Sequence, residues 1–138
     1  MLHRWLIKSE PFKYAWDDLL RDGETVWDGV RNHRAANNLR TMQKGDLAFF
    51  YHSNKGLEIV GIAEVSEDGL IDPTDPEGKW PTVKFKPVEP VPSPVTLKAI
   101  KANPALEGIE LVRLGRLSVA ELTVKEWDEI LRMSKDAA

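Results

Sequence analysis

Hydrophobic positions along the chain change period several times, and each change marks an element. Leu2 to Lys8, with Trp5-Leu6-Ile7 at its centre, reads as a buried strand, ended at Ser9-Glu10-Pro11 because proline cannot continue a ladder. Trp16, Leu19 and Leu20 then recur at helical spacing. Asp17 and Asp18 suit the first turn of that helix and Gly23 its end. Ala35, Leu39 and Met42 mark one face of a second helix stopping at Lys44-Gly45. Leu47 to His52 and Leu57 to Val65 are β-prone runs separated by Ser53-Asn54-Lys55-Gly56, which predicts a hairpin.

From Asp68 to Lys79 the density of Asp, Pro and Gly predicts a turn-rich excursion. Its acids Asp72, Asp75 and Glu77 lack the spacing of a calcium loop. Trp80 to Val88 alternates Val83 and Phe85 with Lys84 and Lys86, a strand with one wet face. Pro87, Pro90, Pro92 and Pro94 then predict an extended connection. Thr96 caps a short helix around Leu97 and Ile100, and Pro104 follows its end. Leu111 to Leu122 reads as a loop feeding a strand. Thr123-Val124-Lys125-Glu126 is a capping box opening a last helix striped with Val124, Trp127, Ile130 and Leu131. No internal repeat or low-complexity tract appears. Strands, short helices and at least two antiparallel pairs predict a compact α+β barrel rather than a βαβ winding.

A length of 138 residues fits one domain spanning 1–138, and 42% hydrophobic with 30% charged residues describes a soluble globule. The absence of cysteine excludes a disulfide framework, thiolate zinc ligation and a cysteine nucleophile. The opening apolar run is too short for a signal sequence, and no stretch approaches a membrane span, so a cytoplasmic protein is expected, nuclear in a eukaryote, with no membrane partner. A net charge of -3 argues against a surface that grips long nucleic acid everywhere. Charge is nevertheless local: residues 29–55 hold Arg31, Arg34, Arg40, Lys44 and Lys55 against Asp46 alone, which is either a binding patch or a solvated face.

Familiar catalytic signatures are missing. His3, His33 and His52 form no helical metal-ligand pair and no triad context, and neither GxGxxG nor GxxxxGK[ST] occurs. No cofactor or metal is expected, and binding is a simpler hypothesis than catalysis.

Trp27-Asp28-Gly29-Val30-Arg31-Asn32 carries the most chemistry. An indole beside carboxylate, amide and guanidinium groups can stack a planar ring, read its polar edge and hold a phosphate. The same tryptophan can equally fill the core.

Segment order adds to this. Trp5-Leu6-Ile7-Lys8-Ser9-Glu10-Pro11, the Trp27 hexapeptide, Asn37-Asn38-Leu39-Arg40, Gly45-Asp46 with Phe49-Phe50-Tyr51-His52-Ser53, Gly61-Ile62-Ala63-Glu64-Val65 and Arg116-Leu117-Ser118-Val119 together closely resemble the EVE domain family across practically the whole chain. The resemblance implies a PUA-like pseudo-β-barrel with short peripheral helices, related to the YTH, ASCH and SRA domains. It places Ser9 and Trp27 where YTH readers carry a strand-end serine and a wall of an aromatic cage. Where the family often carries an aromatic and an arginine, this chain has His33 and Ala36, with Arg34 nearby.

The expected ligand-binding residues are Ser9, Glu10, Trp27, Asp28, Arg31, Asn32, Asn37, Asn38, Arg40, Ser53, Arg113, Arg116 and Ser118. Trp27 stacks the base, Ser9, Glu10, Asp28 and the asparagines read its edge, and the arginines hold phosphates. By resemblance the ligand is methylated or hydroxymethylated cytosine, or methylated adenine, in modified DNA or single-stranded RNA, bound by a monomer without catalysis. The alternatives are a free small molecule such as a nucleoside derivative, and a protein-interaction module.

Overall fold

The computed structural model describes residues 3–136, so Leu2, the expected first residue of the opening strand, lies outside the described residues. Six strands form one sheet: β1 (Arg4–Ser9), β2 (Thr25–Val26), β3 (Leu47–His52), β4 (Glu58–Ile71), β5 (Pro81–Thr96) and β6 (Val119–Leu122), in the spatial order β2-β5-β4-β3-β1-β6. The β1–β3 pair is parallel, Arg4 opposite Leu47 through Ser9 opposite His52, and its neighbours pair antiparallel. Around the sheet lie α1 (Trp16–Asp22), α2 (His33–Thr41), α3 (Leu97–Ala102), α4 (Glu110–Arg113), α5 (Val124–Asp136) and a 3-10 turn at Pro104–Leu106. The α+β class follows, with an α5 start held as the capping box requires: Thr123 N–H donates to Glu126 Oε1 and Glu126 N–H to Thr123 Oγ1.

Three expectations need correction. The stretch from Leu111, expected as a loop feeding a strand, begins inside α4 and becomes loop only after Arg113. The hairpin strand does not stop at Val65 but runs to Ile71, absorbing Asp68-Gly69 where the pairing with β5 shifts register. The proline run after Val88 is strand rather than connection, since β5 continues to Thr96. The geometry allows it because β2 pairs only with Lys84 and Phe85. Beyond them no strand pairs with the outer edge of β5, where Ser134 of α5 bonds the backbone of Ser93, so a proline on that edge forfeits no ladder bond.

The core is aromatic. Trp127 of α5 stacks on Phe49 with centroids 3.8 Å apart. Trp5 donates through Nε1 to Asp46 Oδ2 at 3.0 Å, and this fully buried carboxylate also accepts from the amides of His3 and Gln43, so three hydrogen bonds offset the cost of taking it out of water. Trp16, Phe50, Trp27 and Phe85 form an edge-to-face chain with centroids 5.5–5.7 Å apart. Gly61 is required beside it, because a Cβ there would lie 2.6 Å from the Trp16 ring.

Candidate functional site

Where β1 ends, the chain doubles back. The amides of Lys13 and Tyr14 both donate to the Glu10 carbonyl at 2.9 Å, and Ser9 Oγ donates to the Tyr14 carbonyl at 2.6 Å. Opposite this turn, Trp27 N–H donates to the Val83 carbonyl at 3.0 Å, and the Thr82 hydroxyl donates to the Trp27 carbonyl, which clamps the backbone just beyond β2. Between the two walls lies a cleft of about 470 Å³ lined by Lys8, Ser9, Glu10, Lys13, Tyr14, Thr25, Val26, Trp27 and Asp28.

Its groups differ in what they can still bind. Ser9 has committed its proton to Tyr14. Glu10 accepts from Asn54 Nδ2 at 2.6 Å and pairs with Lys13 at 3.2 Å. Asp28 is exposed at the cleft with neither ion pair nor side-chain hydrogen bond among the described residues, so its carboxylate is open to a donor. Trp27 is 8% exposed and packs edge-to-face against Tyr14, Phe50 and Phe85, so it is a core residue presenting a strip of indole to the cleft. Burial pushes the Tyr14 phenol up and the Lys8 ammonium down from their usual ranges.

The loop after Asp28 is held by a residue far along the chain. Asp72, with a side chain 1% exposed, accepts from Gly29 N–H at 2.7 Å, from Arg31 Nη1 at 2.9 Å, and from both the amide and hydroxyl of Thr74. Burial alone would raise this carboxyl. The hydrogen bonds from Thr74, Arg31 and Gly29 outweigh it and hold it down at about 2. Arg31 also lies over Trp80, whose other neighbour is the stacked ring of His33. Gly29 at φ 81 takes the left-handed turn that lets its amide reach Asp72.

Of the expected ligand-binding residues, the cleft gathers Ser9, Glu10, Trp27 and Asp28. Arg31 is spent on Asp72 and Thr74. Asn32 caps α2 by accepting from Ala35 N–H at 3.0 Å, and Asn38 donates to the Val119 carbonyl at 2.8 Å, tying α2 to β6. Asn37 and Arg40 bond to each other on the exposed side of α2. Arg113 pairs with Glu110 and reaches the Gly108 carbonyl. Arg116 lies with Asn32 and Arg34 in a separate hollow of about 320 Å³. The Ser118 carbonyl accepts from Lys8 N–H, and Ser53 lines a second cleft with Lys8 and Tyr51. Sequence reasoning missed Lys8, Lys13, Tyr14, Thr25 and Val26 as cleft walls. Pro11 reads in the sequence only as the end of the strand; the turn it begins, which brings Lys13 and Tyr14 back over the strand end, is the signal that could have found them.

His52 is pushed below its usual range by burial and accepts from Trp16 N–H at 3.1 Å, as a neutral ring. Among the described residues no group of three or more His, Asp and Glu side chains is placed to hold a metal ion. No helix among them is long and apolar enough to cross a membrane.

The profile of the EVE domain family matches residues 3–133, and the chain belongs to that family. A protein of Agrobacterium tumefaciens superposes with a TM-score of 0.92 at 47% identity over 96% of this chain and 92% of its own. Thymocyte nuclear protein 1 of Rattus norvegicus is 34% identical over 95% of this chain and 73% of its own length. The human THYN1 protein, solved in complex with 5-methylcytosine-containing DNA, superposes with a TM-score of 0.89 at 30% identity, covering 96% of this chain and 98% of that one. A YTH domain of Zygosaccharomyces rouxii superposes with a TM-score of 0.60 at 15% identity over 96% of this chain and 86% of its own, a likeness of fold. The fold is therefore the PUA-like pseudo-barrel.

Proposed function

We propose that this chain is a non-catalytic reader of a modified nucleobase in DNA or single-stranded RNA, methylated or hydroxymethylated cytosine or methylated adenine, received in the cleft between the Ser9–Tyr14 turn and Trp27-Asp28. The observation that carries the reading is the open Asp28 carboxylate beside the Trp27 edge, in a fold that superposes on a human relative solved with 5-methylcytosine DNA. An exocyclic amine is the donor that an uncommitted carboxylate accepts, while Tyr14 and the exposed strip of Trp27 supply flat apolar surface. Arg116, which makes no ion pair among the described residues, is the first candidate for a backbone contact, while Arg40 and Arg113 would have to leave Asn37 and Glu110 to make one. The chain acts as one domain and as a monomer.

Binding of matched modified and unmodified oligonucleotides, followed by mass analysis of the recovered strands, tests this. One modified strand is expected to bind tightest and to return chemically unchanged. Asp28→Asn should weaken it about tenfold, since an unmatched polar group in a binding site costs about 1–3 kcal/mol. Equal affinity for all strands, or an Asp28→Asn protein that binds as well as the parent, would remove the base pocket. Chemical change of the strand that disappears in that variant would make the protein an enzyme, and salt-insensitive binding to an isolated nucleoside would favour a free small-molecule ligand.

A further inference from the structure

We infer that a second cleft, on the other side of Lys8, holds the nucleotide adjoining the base on the same strand. The inference rests on the reading of the first cleft. Lys8 lines both cavities, and its ammonium stands on the second, beside Gly115 and Tyr51, where a strand leaving the first cleft would meet it. Lys8 Nζ gives one hydrogen bond to the Gly115 carbonyl at 2.9 Å and lies 6.0 Å from the Tyr51 ring centroid, which leaves further N–H groups for a bridging phosphate.

The second cleft has the chemistry of a sugar and base rather than of an amine. Its volume is about 380 Å³, and its walls combine Tyr51, Leu57 and Leu97 with Ser53, Asn54 and Lys101. A hollow continuing it over Leu57 and Leu97 adds Lys98. Among the described residues neither lining contains a carboxylate, although the chain as a whole is acidic, whereas the first cleft carries Glu10 and Asp28. Charge thus sorts a nucleotide chain: the amine-bearing base edge to the first cleft, the phosphate to Lys8, the next nucleotide to the cationic strip.

Two further observations agree. The clefts are held at fixed spacing, because Ser53 N–H donates to the Ser9 carbonyl at 2.9 Å and Asn54 bonds to Glu10. Leu57 stands at the lip with φ 46 and is 42% exposed, a backbone conformation unfavourable for leucine in a residue that presents apolar surface to solvent. Such an outlier is tolerated where the side chain has something to cover.

The test compares 5-methyl-deoxycytidine with single strands of two to nine nucleotides carrying one such base, using amide chemical shifts of the full chain and titrations at several salt concentrations. The nucleoside should move amides around Lys13–Asp28 only, and the strands should add those of Ser53, Leu57, Lys101 and Val112. The first flanking nucleotide should raise affinity about tenfold. Leu57→Asn with Lys101→Gln should remove that gain, lower the salt slope by about 0.7, and leave nucleoside binding as it was, asparagine being chosen because it tolerates positive φ. Shifts confined to the first cleft, or a gain that survives the double substitution, would overturn the inference while the base pocket stands. If no probe moves the first cleft, the base pocket falls and this inference with it.

Discussion

The rim at Trp27-Asp28 and the helix that begins five residues later are equally polar, yet they stand in opposite states. On α2 and its cap the polar groups are already satisfied: Asn32 by Ala35, Asn38 by Val119, Asn37 by Arg40, and Arg31 just before them by Asp72 and Thr74. At the rim Asp28 has no partner among the described residues. Both segments supply donors and acceptors at the density a base reader needs, and only the inventory of which are already bonded separates scaffold from site. The lesson is that Asn32 and Asn38 hold the platform on which Asp28 and Trp27 are displayed.

The largest effect should come from the residue that belongs to both regions. Trp27→Ala removes an indole packed against three aromatic rings, and large-to-small aromatic substitutions in a core cost about 3–5 kcal/mol. Urea unfolding should show that loss, with Trp27→Phe recovering part of it. A Trp27→Ala protein as stable as the parent would mean that the indole is free to stack and that its packing contributes little.

Asp72 comes next. Its folded-state carboxyl sits at about 2 against an ordinary 3.8, so it stabilises the folded chain fully above about pH 4 and loses that contribution as pH falls through 2. The difference is worth about 2 kcal/mol at neutral pH. Asp72→Asn should cost roughly that much at pH 7, and the gap between variant and parent should close as pH is lowered from 4 to 2. A gap that is flat with pH would assign the loss to shape rather than to charge. Because Asp72 positions Gly29 and Arg31, the variant should also weaken ligand binding at a temperature where it remains folded.

That anchor also marks the limit of what the sequence makes legible. Local signals placed well: the Thr123–Glu126 capping box, the Thr96 cap, the Ser53–Gly56 hairpin turn and the Gly23 stop are each set by neighbours within a few residues. The mixture of strands and short helices suggested an α+β barrel, and the family resemblance narrowed it to a PUA-like one. Its parallel β1–β3 pair was not legible from local pattern, because α1, β2 and α2 intervene between those strands. Long-range decisions escaped the pattern as well. Asp72 reads as one more acid in a turn-rich stretch until the fold brings it to Gly29 across 43 positions. The prolines at 90, 92 and 94 read as a connection because only the pairing shows that no strand needs the outer edge of β5 there. In the site, Ser9, Glu10, Trp27 and Asp28 share a cleft as the order of segments suggested, while the arginines scatter, since nothing in a run of residues says which guanidinium has already found a carboxylate.

The smallest effect separates the arginines themselves. Arg31 is held by a buried acid and a hydroxyl, whereas Arg116 is exposed, and the ion pairs around it belong to Arg34 and Arg113 with Glu110. A guanidinium already neutralised in the fold releases few counterions on meeting a phosphate, and a free one releases about 0.7 to 0.9 per contact. Arg116→Gln should therefore lower the salt slope of oligonucleotide binding by about that amount, equally for modified and unmodified strands, with little change in stability. Arg31→Gln should leave the slope near its parent value and act through the loop instead, reducing preference for the modified base and lowering the unfolding midpoint. Titrations of both variants at several salt concentrations decide the matter: a slope that falls with Arg31 and stays with Arg116 would exchange their roles, moving the backbone contact to the Arg31–Asp72 loop and making the hollow between α2 and the Leu114–Leu117 segment a scaffold surface.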